Sequence, residues 1–450
     1  MSNPLRLTSG PITSQLLGLC LPLLCANVLQ QLYNIANSLI VTQYIGDRAF
    51  AALGVAESVM NLYIYAITGA CMGSAVLIAQ FYGEGDMSKL RRQLYVSAVL
   101  IGGSVLAAVA LGQLFLPQIL GLISTPTDLT GDVSRYLRII LVGMLFTFTY
   151  NYLAAALRAI GDTRAALLFL FLSLGYNLVC AWVLVAVLDL GIMGTALATA
   201  TAQMLSSALC LLYIRKKRPF LLFGREDMRM DATLVRRTVS YAAVAALQQS
   251  SLYLGKLMVQ GAVNDISPVD TAPISAFTAA GRVENFAQAF GIGGCDAMAI
   301  FIAQNLGAHQ PRRALQGFVR GAAITVGTGV VLSAGMGLFA APLAGLFLEP
   351  GPGMDLCVSY LRLISWFFLL SYFGNSFVGW FRGIGRMNIT FLGTTLQIAI
   401  RVVATYLLVG NMGLDAVALA TGLGWVAIVL FQITIFSLQM HKGIADPPAG

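Results

Sequence analysis

The chain has 450 residues, of which 58% are hydrophobic and only 10% are charged. Soluble domains carry about a quarter charged residues, so a water-facing surface of ordinary size is excluded. The net charge of +8 does not indicate nucleic-acid binding, because most positive residues fall in short segments between apolar stretches.

Apolar segments long enough to cross a bilayer recur through the whole chain. A helix needs about 20 apolar residues to span about 30 Å of hydrocarbon, and helices are expected because lipid offers no water to backbone groups. The apolar runs between polar breaks predict an all-α integral membrane protein with twelve transmembrane helices in two pseudo-symmetric six-helix bundles. In chain order the predicted spans are 13–42, 51–82, 93–116, 134–157, 164–187, 191–214, 238–263, 273–305, 316–343, 357–381, 388–410 and 414–437.

Lys and Arg are distributed unevenly between the two ends of the predicted spans. Of the 27 Lys and Arg residues, twenty lie in the N-terminus, the even-numbered connections and the C-terminus, and four lie in or beside the odd-numbered connections. The remaining three, Lys256, Arg282 and Arg401, fall inside spans. Because cytoplasmic loops carry the excess of positive residues, we expect a multi-pass protein of the cell membrane (inner or plasma) with both termini in the cytoplasm.

The two halves of the chain resemble each other. The sequence Ile-Ala-Gln at 78–80 recurs at 302–304, and Tyr-Leu-Arg at 136–138 recurs at 360–362, each with an offset of 224 residues. Six predicted spans in each repeat keep both halves in the same orientation, which is typical of transporters with parallel repeats around a midplane site. The predicted domains are an N-terminal six-helix bundle over 1–214, a basic cytoplasmic linker over 215–237 and a C-terminal six-helix bundle over 238–450.

Two corresponding spans carry polar side chains at helical spacing. Steps of three and four residues place such groups on one face of a helix, and polar groups at membrane depth are candidates for function. Isolated amides often only join helices through hydrogen bonds, whereas two matched stripes favour the lining of a substrate cavity. The first stripe is Asn27, Gln30, Asn34 and Asn37, and the second is Gln249, Tyr253, Lys256 and Gln260.

Ionisable residues inside the spans are more specific candidates for function than the amides. Glu57 lies in the second span, where it is either a functional carboxylate or an interfacial charge near the outer surface. In the eighth span Arg282 and Glu284 are two residues apart and point to opposite sides, so Lys256 is the expected partner of Glu284. Because a carboxylate at membrane depth can exchange a proton, Glu57 and Glu284 are predicted to couple ion flow. Three further residues are predicted to line the substrate cavity: Asn61, Arg282 and Gln288.

The remaining chemical signals point away from an enzyme. Arg401 lies deep in the eleventh predicted span, and the sequence does not identify its partner. No nucleotide-binding loop and no residues at metal-ligand spacing occur in the sequence. We therefore expect a transporter that ATP does not drive and that has no cofactor or metal. The lipid bilayer is an expected partner, nucleic acid is not, and a monomer is expected.

Four segments of the chain form a recognisable set: Leu-Gln-Gln-Leu-Tyr-Asn-Ile at 29–35, Leu-Arg-Ala-Ile-Gly-Asp-Thr-Arg at 157–164, Gly-Lys-Leu-Met-Val-Gln at 255–260 and Arg-Val-Glu-Asn-Phe at 282–286. With them the chain resembles the multidrug and toxic compound extrusion (MATE) family, of the prokaryotic type, over nearly its whole length. The resemblance implies a V-shaped pair of six-helix bundles, alternating access, and export of drugs and other small organic compounds, often cations, driven by H⁺ or Na⁺ as the coupling ion. The alternative is a flippase for a lipid-linked or envelope precursor, which would favour a more cationic cavity.

The chain departs from this family at one position of the first span. Many prokaryotic members carry an Asp shortly after the Leu-Tyr-Asn-Ile motif, and that Asp is linked to ion coupling, whereas this chain has Asn37. Its position makes Asn37 a candidate for ion coupling, but an amide does not titrate, so a proton relay through Asn37 itself is in doubt. The resulting hypothesis is that Glu57 on the neighbouring span supplies the missing charge, with Glu284 as the competing candidate in the second half.

Overall fold

The computed structural model describes residues 7–45, 47–123, 125–127, 129–266 and 271–441, and within them the chain forms helices and no strand. The side chains at 34, 35, 38, 39, 41, 42 and 47–51 fall outside this description. The helices are α1 (Ile12–Tyr44), α2 (Asp47–Glu84), α3 (Met87–Leu114), α4 (Leu116–Leu122), α5 (Thr130–Ala159), α6 (Thr163–Trp182, continued by a π-helical turn over Val183–Val187), α7 (Gly191–Lys217), α8 (Ala232–Asn264), α9 (Ala272–Gly307), α10 (Pro311–Leu338), α11 (Ala340–Gly345), α12 (Pro352–Gly383), α13 (Met387–Met412) and α14 (Asp415–His441).

Eleven helices in the described part of the chain are long and apolar enough to cross a membrane. The other long helix is α8, with 33 residues, which coincides with the predicted span 238–263. Its polar content, including Gln248, Gln249, Lys256 and Gln260, makes it less apolar than the rest. The prediction of an all-α, multi-pass membrane protein is confirmed.

The helices repeat in order, with α1–α7 followed by the corresponding series α8–α14. The short helices α4 and α11, which the apolar runs did not predict, lie at the same place in each series. The turns after α5 and α12 also match, because Gly161 and Gly385 have φ angles of 85° and 78°. Glycine adopts this left-handed conformation without steric cost. The repeat seen in the sequence is therefore a repeat of structure.

The chain divides into two compact units whose limits fall inside helices. The first unit spans Cys25–Gln249, and the second joins Leu7–Leu24 to residues 250–441. The start of α1 therefore belongs with the second repeat, and the start of α8 belongs with the first. The domain limits taken from the sequence, 1–214 and 238–450, describe the repeats and stay a prediction.

Glycine residues allow the first part of α8 to pack closely in the first unit and the first part of α1 to pack closely in the second. In the first unit, a Cβ atom at Gly69 of α2 would collide with the backbone of Ala245 in α8. In the second unit, a Cβ atom at Gly293 of α9 would lie 2.8 Å from a side-chain methyl of Leu24 in α1. In each unit, a glycine at the equivalent position of the repeat allows close packing of a helix segment that comes from the other repeat.

Aromatic side chains form the core of the second unit around α12. Tyr360, Phe368 and Tyr372 have no exposed surface. The ring of Phe277 in α9 meets Tyr360 edge-on at a centroid distance of 6.0 Å, and Trp425 in α14 meets Phe368 at 5.5 Å. This packing fixes the ring of Tyr360 between α9 and α12.

The segment between α7 and α8 is held against the first unit by ion pairs. Arg218 pairs with Asp162 at 2.9 Å, and the hydroxyl of Tyr213 donates to the same carboxylate at 2.8 Å. Arg91 of α3 pairs with Asp227 at 3.2 Å. The predicted basic linker is therefore a packed connection in which acidic residues offset part of the positive charge.

Candidate functional site

The first unit contains a polar network where α1, α6 and α7 meet. Tyr33 donates its hydroxyl to Asn177 Oδ1 at 2.9 Å, and Asn177 Nδ2 donates to Thr199 Oγ1 at 3.3 Å. The Thr199 hydroxyl donates in turn to the carbonyl of Thr195 at 3.0 Å. Asn177 is 3% exposed, and hydrogen bonds are stronger in such a low-dielectric setting. The network therefore fixes the hydroxyl of Tyr33 inside the first unit.

Glu57 of α2 lies beside this network. Its carboxylate interacts electrostatically with the hydroxyls of Tyr33 and of Tyr136 in α5. Glu57 is half-buried, and among the described acidic residues of the first unit it is the one that lies more than a turn inside a long helix. A carboxylate among hydroxyl and amide oxygens suits a proton or a hard cation. Tyr33, Glu57, Tyr136, Asn177 and Thr199 are called the Tyr136 cluster.

The second unit contains a charged cluster built on four helices. Glu284 of α9 interacts electrostatically with Arg401 of α13 and, more weakly, with Lys256 of α8. Its carboxylate also borders the hydroxyl of Tyr360 in α12. The expected partner Lys256 and the cation Arg401 therefore both lie within electrostatic range of Glu284, and their pairing stays a prediction. Lys256, Glu284, Tyr360 and Arg401 are called the Tyr360 cluster.

A close contact between α8 and α13 brings the two cations of this cluster together. A Cβ atom at Gly255 would lie 2.5 Å from the Ile398 side chain. Lys256 directly follows Gly255, and Arg401 lies one helical turn after Ile398. Because the helices touch at this point, Lys256 and Arg401 both interact electrostatically with Glu284.

In the Tyr360 cluster the hydroxyl of Tyr360 interacts with the carboxylate of Glu284. Arg401 Nε is buried without a hydrogen-bond partner. Tyr360 has no exposed surface, so its hydroxyl is fully inside the unit. Buried polar groups are nearly always hydrogen-bonded in folded proteins, and exceptions mark sites with a functional or structural cause.

The two clusters occupy equivalent places in the repeat. The offset of 224 residues that relates Tyr136 to Tyr360 also relates Asn177 to Arg401. Asn177 and Arg401 both lie near the middle of their helices, α6 and α13. The tyrosine is thus shared between the units, while an amide in one unit stands where a guanidinium stands in the other.

The residues of the first predicted stripe, on α1, and Asn61 on α2 differ in their exposure. Gln30 is exposed, whereas Asn27, Asn37 and Asn61 are half-buried. Asn37 Oδ1 is buried without a hydrogen-bond partner. The side chain of Asn34 lies outside the described residues. Their role in lining a cavity stays a prediction.

The second predicted stripe, on α8, is divided between the units. Gln249 belongs to the first unit, where its Nε2 contacts a methionine sulfur at 3.5 Å. Tyr253, Lys256 and Gln260 belong to the second unit. Tyr253 is 7% exposed, and Gln260 donates to the side chain of Asn264 at 3.0 Å. Of this stripe, Lys256 joins the charged cluster.

The other candidates on α9 contact different neighbours. The guanidinium of Arg282 stacks over the ring of Phe347 at 5.8 Å. Gln288 donates to Ser371 at 2.9 Å and accepts from Asn375 at 3.4 Å, both on α12. Gln288 therefore joins α9 to α12, in addition to any contact with a substrate.

Sequence reasoning missed part of each cluster. Tyr136 and Tyr360 were recognised as repeat markers but not as site residues, and Tyr33, Asn177 and Thr199 were not singled out. The shared offset of Asn177 and Arg401 was the available signal, because Arg401 was already known to need a partner.

Comparison with known proteins gives one family. The MatE family model matches residues 22–183 and again residues 245–407. The two matches fall on corresponding parts of the two repeats. Together they cover well over half of the chain.

Individual proteins agree with this family. The chain is 27% identical over 364 residues to the probable multidrug resistance protein YoeA of Bacillus subtilis, covering 79% of this chain and 77% of that protein. It is 24% identical over 308 residues to the probable multidrug resistance protein YpnP of Bacillus subtilis, covering 68% of each chain. Among solved structures, a MOP superfamily transporter from Pyrococcus furiosus matches with a TM-score of 0.89, 19% identity and 98% coverage of both chains.

Proposed function

Because the chain belongs to the MatE family of membrane transporters, we propose that it is a secondary active antiporter. It exports organic compounds, often cationic, from the cytoplasm in exchange for H⁺ or Na⁺ by alternating access. The names of YoeA and YpnP support drug-like small molecules as the substrates. Inward movement of one positive charge releases about 2.3 kcal/mol per 100 mV of membrane potential, which can drive export against a gradient.

Glu57 is the proposed coupling residue, and its position in the Tyr136 cluster carries the proposal. Asn37 cannot titrate, whereas Glu57 places a carboxylate inside α2 within electrostatic range of the hydroxyls of Tyr33 and Tyr136. These oxygens are hydrogen-bond partners for a protonated carboxyl and ligands for Na⁺. Binding and release of the ion then change the charge of the cluster by one unit.

Glu284 is the competing coupling residue, and its surroundings suit that role less well. It already faces two cations, Arg401 and Lys256. An opposite charge nearby favours the ionised carboxylate, so a proton or Na⁺ has to compete with fixed positive charges. In the Tyr136 cluster none of the other four members is a cation.

The proposed orientation follows the positive-inside rule. Both termini and the basic connection between α7 and α8 are placed in the cytoplasm of the cell, because the termini and the even-numbered connections together hold twenty of the 27 Lys and Arg residues. Small organic compounds would enter from that side.

Export is tested by ethidium efflux from cells of a strain that lacks its own drug pumps, with the Na⁺ and pH gradients varied separately. Cells that make the protein are expected to lose dye faster than cells that do not, because an ion gradient drives export. Collapse of the coupling gradient should stop this efflux, and the gradient that matters identifies the ion. Efflux that continues without either gradient contradicts antiport.

The coupling residue is tested by Glu57→Gln in the same cells. The variant should abolish gradient-driven efflux, since an amide cannot bind the proton, while the melting temperature of the purified protein stays unchanged. Glu226→Gln, which neutralises an exposed acid of the same unit, is the matched control and should keep full efflux. Normal efflux in Glu57→Gln rejects the assignment, and an equal loss in Glu284→Gln points to two coupling sites.

A further inference from the structure

A groove of about 520 Å³ lies on the surface of the second unit, where the start of α14 meets the first half of α12. Four of its lining residues are on α12 at steps of four, three and four residues, which places them on one face of the helix. Asp415 of α14 completes this set, because its carboxylate accepts a hydrogen bond from the hydroxyl of Ser359 at 3.0 Å. These residues, Asp355, Ser359, Arg362, Trp366 and Asp415, are called the Arg362 groove.

Charges of opposite sign follow each other along the Arg362 groove. Asp355 lies one turn before Ser359 on α12, and Asp415 binds Ser359 from α14, so both carboxylates are near the helix starts. Arg362 comes about 4.5 Å further along α12, and its side chain is exposed. In the ranges that the structure describes, Arg362 forms no ion pair, so its guanidinium is available to a ligand.

An exposed tryptophan continues the groove along α12. Trp366 is 83% exposed, and it lies about 6 Å beyond Arg362 along the helix. Tryptophan is enriched at the boundary between lipid headgroups and acyl chains, where its ring contacts both. Leu363 lines the groove beside it. The groove therefore passes from two carboxylates, through one guanidinium, to an apolar wall.

We propose that the Arg362 groove binds a phospholipid whose headgroup carries a primary ammonium beyond its phosphate, as phosphatidylethanolamine does. The order of groups in this lipid, ammonium, phosphate and acyl chain, matches the order of side chains along the groove. The ammonium has three hydrogen-bond donors for the carboxylates of Asp355 and Asp415. The guanidinium of Arg362 binds the phosphate oxygens, and the ring of Trp366 packs against the start of the acyl chain.

Other common headgroups complement these side chains less well. The quaternary ammonium of phosphatidylcholine has no N–H group and cannot donate a hydrogen bond to a carboxylate. Phosphatidylglycerol carries a negative charge alone, and in the groove two carboxylates face it against one guanidinium. The excess of carboxylates over cations thus selects for a headgroup with its own ammonium.

The equivalent face of the first unit lacks this arrangement. Arg138 stands where Arg362 stands, at the offset of 224 residues. The offset is 222 between α7 and α14, because Ala-Leu-Ala-Thr at 196–199 recurs at 418–421. The counterparts of Asp355, Trp366 and Asp415 are, in that order, Gly131, Val142 and Met193.

The proposed orientation places the Arg362 groove at the outer leaflet, because Arg362 belongs to the side of the spans with few Lys and Arg residues. Lipid binding there does not depend on the proposed export. Absent ethidium efflux would contradict export and leave the lipid site standing, whereas the lipid comparison below tests the groove alone.

The test is quenching of tryptophan fluorescence by phospholipids with brominated acyl chains, added to the purified full chain in a non-ionic detergent. Of the four tryptophans, Trp380 and Trp425 are buried, and Trp182 is 46% exposed. A Trp182→Phe protein therefore reports mainly on Trp366. Brominated phosphatidylethanolamine is expected to bind it about fivefold more tightly than brominated phosphatidylcholine or phosphatidylglycerol. Equal binding of the three lipids, or tighter binding of phosphatidylglycerol, overturns the proposal.

Loss of the reporter locates the bound lipid. Adding Trp366→Phe to the Trp182→Phe protein should abolish the difference in quenching between the three lipids. A difference that persists places the bound lipid elsewhere and contradicts the proposal.

Substitutions in the Trp182→Phe background separate the two ends of the headgroup. Asp355→Asn and Asp415→Asn should each reduce the preference for phosphatidylethanolamine, because the ammonium loses an acceptor. Arg362→Gln should weaken all three lipids, because they share the phosphate. Asp355→Asn is informative even if Asp415→Asn disturbs the contact between α12 and α14, since Asp355 makes no side-chain hydrogen bond within the described residues.

Asp132→Asn is the matched control, because it neutralises an acid in the first turn of α5, the counterpart of α12. It should leave the binding of all three lipids unchanged. The proposal is wrong if Asp355→Asn keeps the full preference for phosphatidylethanolamine, or if Arg362→Gln binds the lipids as tightly as the parent protein.

Discussion

The Tyr136 cluster and the Tyr360 cluster stand at equivalent places in the two repeats and carry opposite net charge. In the first, Glu57 is the one charged member among tyrosines, an asparagine and a threonine. In the second, Lys256 and Arg401 outnumber Glu284. The two clusters share the buried tyrosine and differ at the equivalent position of α6 and α13, which is Asn177 in the first and Arg401 in the second.

This difference shows that two repeats can keep the same buried core residue while the charge of a nearby residue differs between them. Tyr136 and Tyr360 are 3% and 0% exposed, so their rings belong to the core of each unit. The position of Asn177 and Arg401 is less constrained by packing, because an amide and a guanidinium both occupy it. One substitution at this position changes the net charge of the cluster by one unit.

The largest effect is expected from giving the first unit the residue of the second. Asn177→Arg places a guanidinium beside Glu57 and favours the ionised carboxylate permanently. Ion-driven ethidium efflux should fall to the background of cells without the protein. Asn177→Ala removes the same hydrogen bonds without adding charge, so it should retain part of the efflux. Equal activity of the two variants would show that charge at this place does not matter.

A smaller effect, on stability, is expected at the two glycines that pack against the first parts of α8 and α1. Gly69→Ala puts a methyl against the backbone of Ala245, whereas the methyl of Gly293→Ala makes its closest contacts with the flexible side chain of Leu24. Overpacking should destabilise the first variant by about 2–3 kcal/mol and the second by about 1 kcal/mol or less. Thermal melting of the detergent-purified variants measures both. Gly103→Ala on α3, where a Cβ atom meets nothing within 4 Å, is the control, and equal melting temperatures for Gly69→Ala and Gly293→Ala would refute the asymmetry.

The smallest effect is expected at the connection between α7 and α8. Asp162 binds Arg218 and Tyr213 in the first unit, while the equivalent position in the second repeat is Arg386. Asp162→Asn should weaken these contacts by about 1–2 kcal/mol and speed tryptic cleavage of the connection. Limited proteolysis measures the rate, with Asp189→Asn, at an exposed acid, as the control. An unchanged cleavage rate would mean that the ion pair does not hold the connection.

Most of the fold could be predicted because its causes are local. Long apolar runs require helices in lipid, and recurring motifs such as 78–80 and 302–304 revealed the repeat before any coordinates. The short helices α4 and α11 escaped prediction, because each is only 7 or 6 residues long and leaves little periodic signal. Glu57, Glu284 and Lys256 were found because charges at membrane depth are rare.

The sequence by itself determined the helical class, the duplication, the excess of positive residues on one side and the few ionisable groups inside the spans. Only the tertiary structure decided that Arg401 lies within electrostatic range of Glu284, that Asn177 joins Tyr33 to Thr199, and that the units divide inside α1 and α8. Helical periodicity sets the face on which a side chain lies. The height and rotation of each helix against its neighbours depend on contacts such as Gly255 with Ile398, which join residues far apart in the chain.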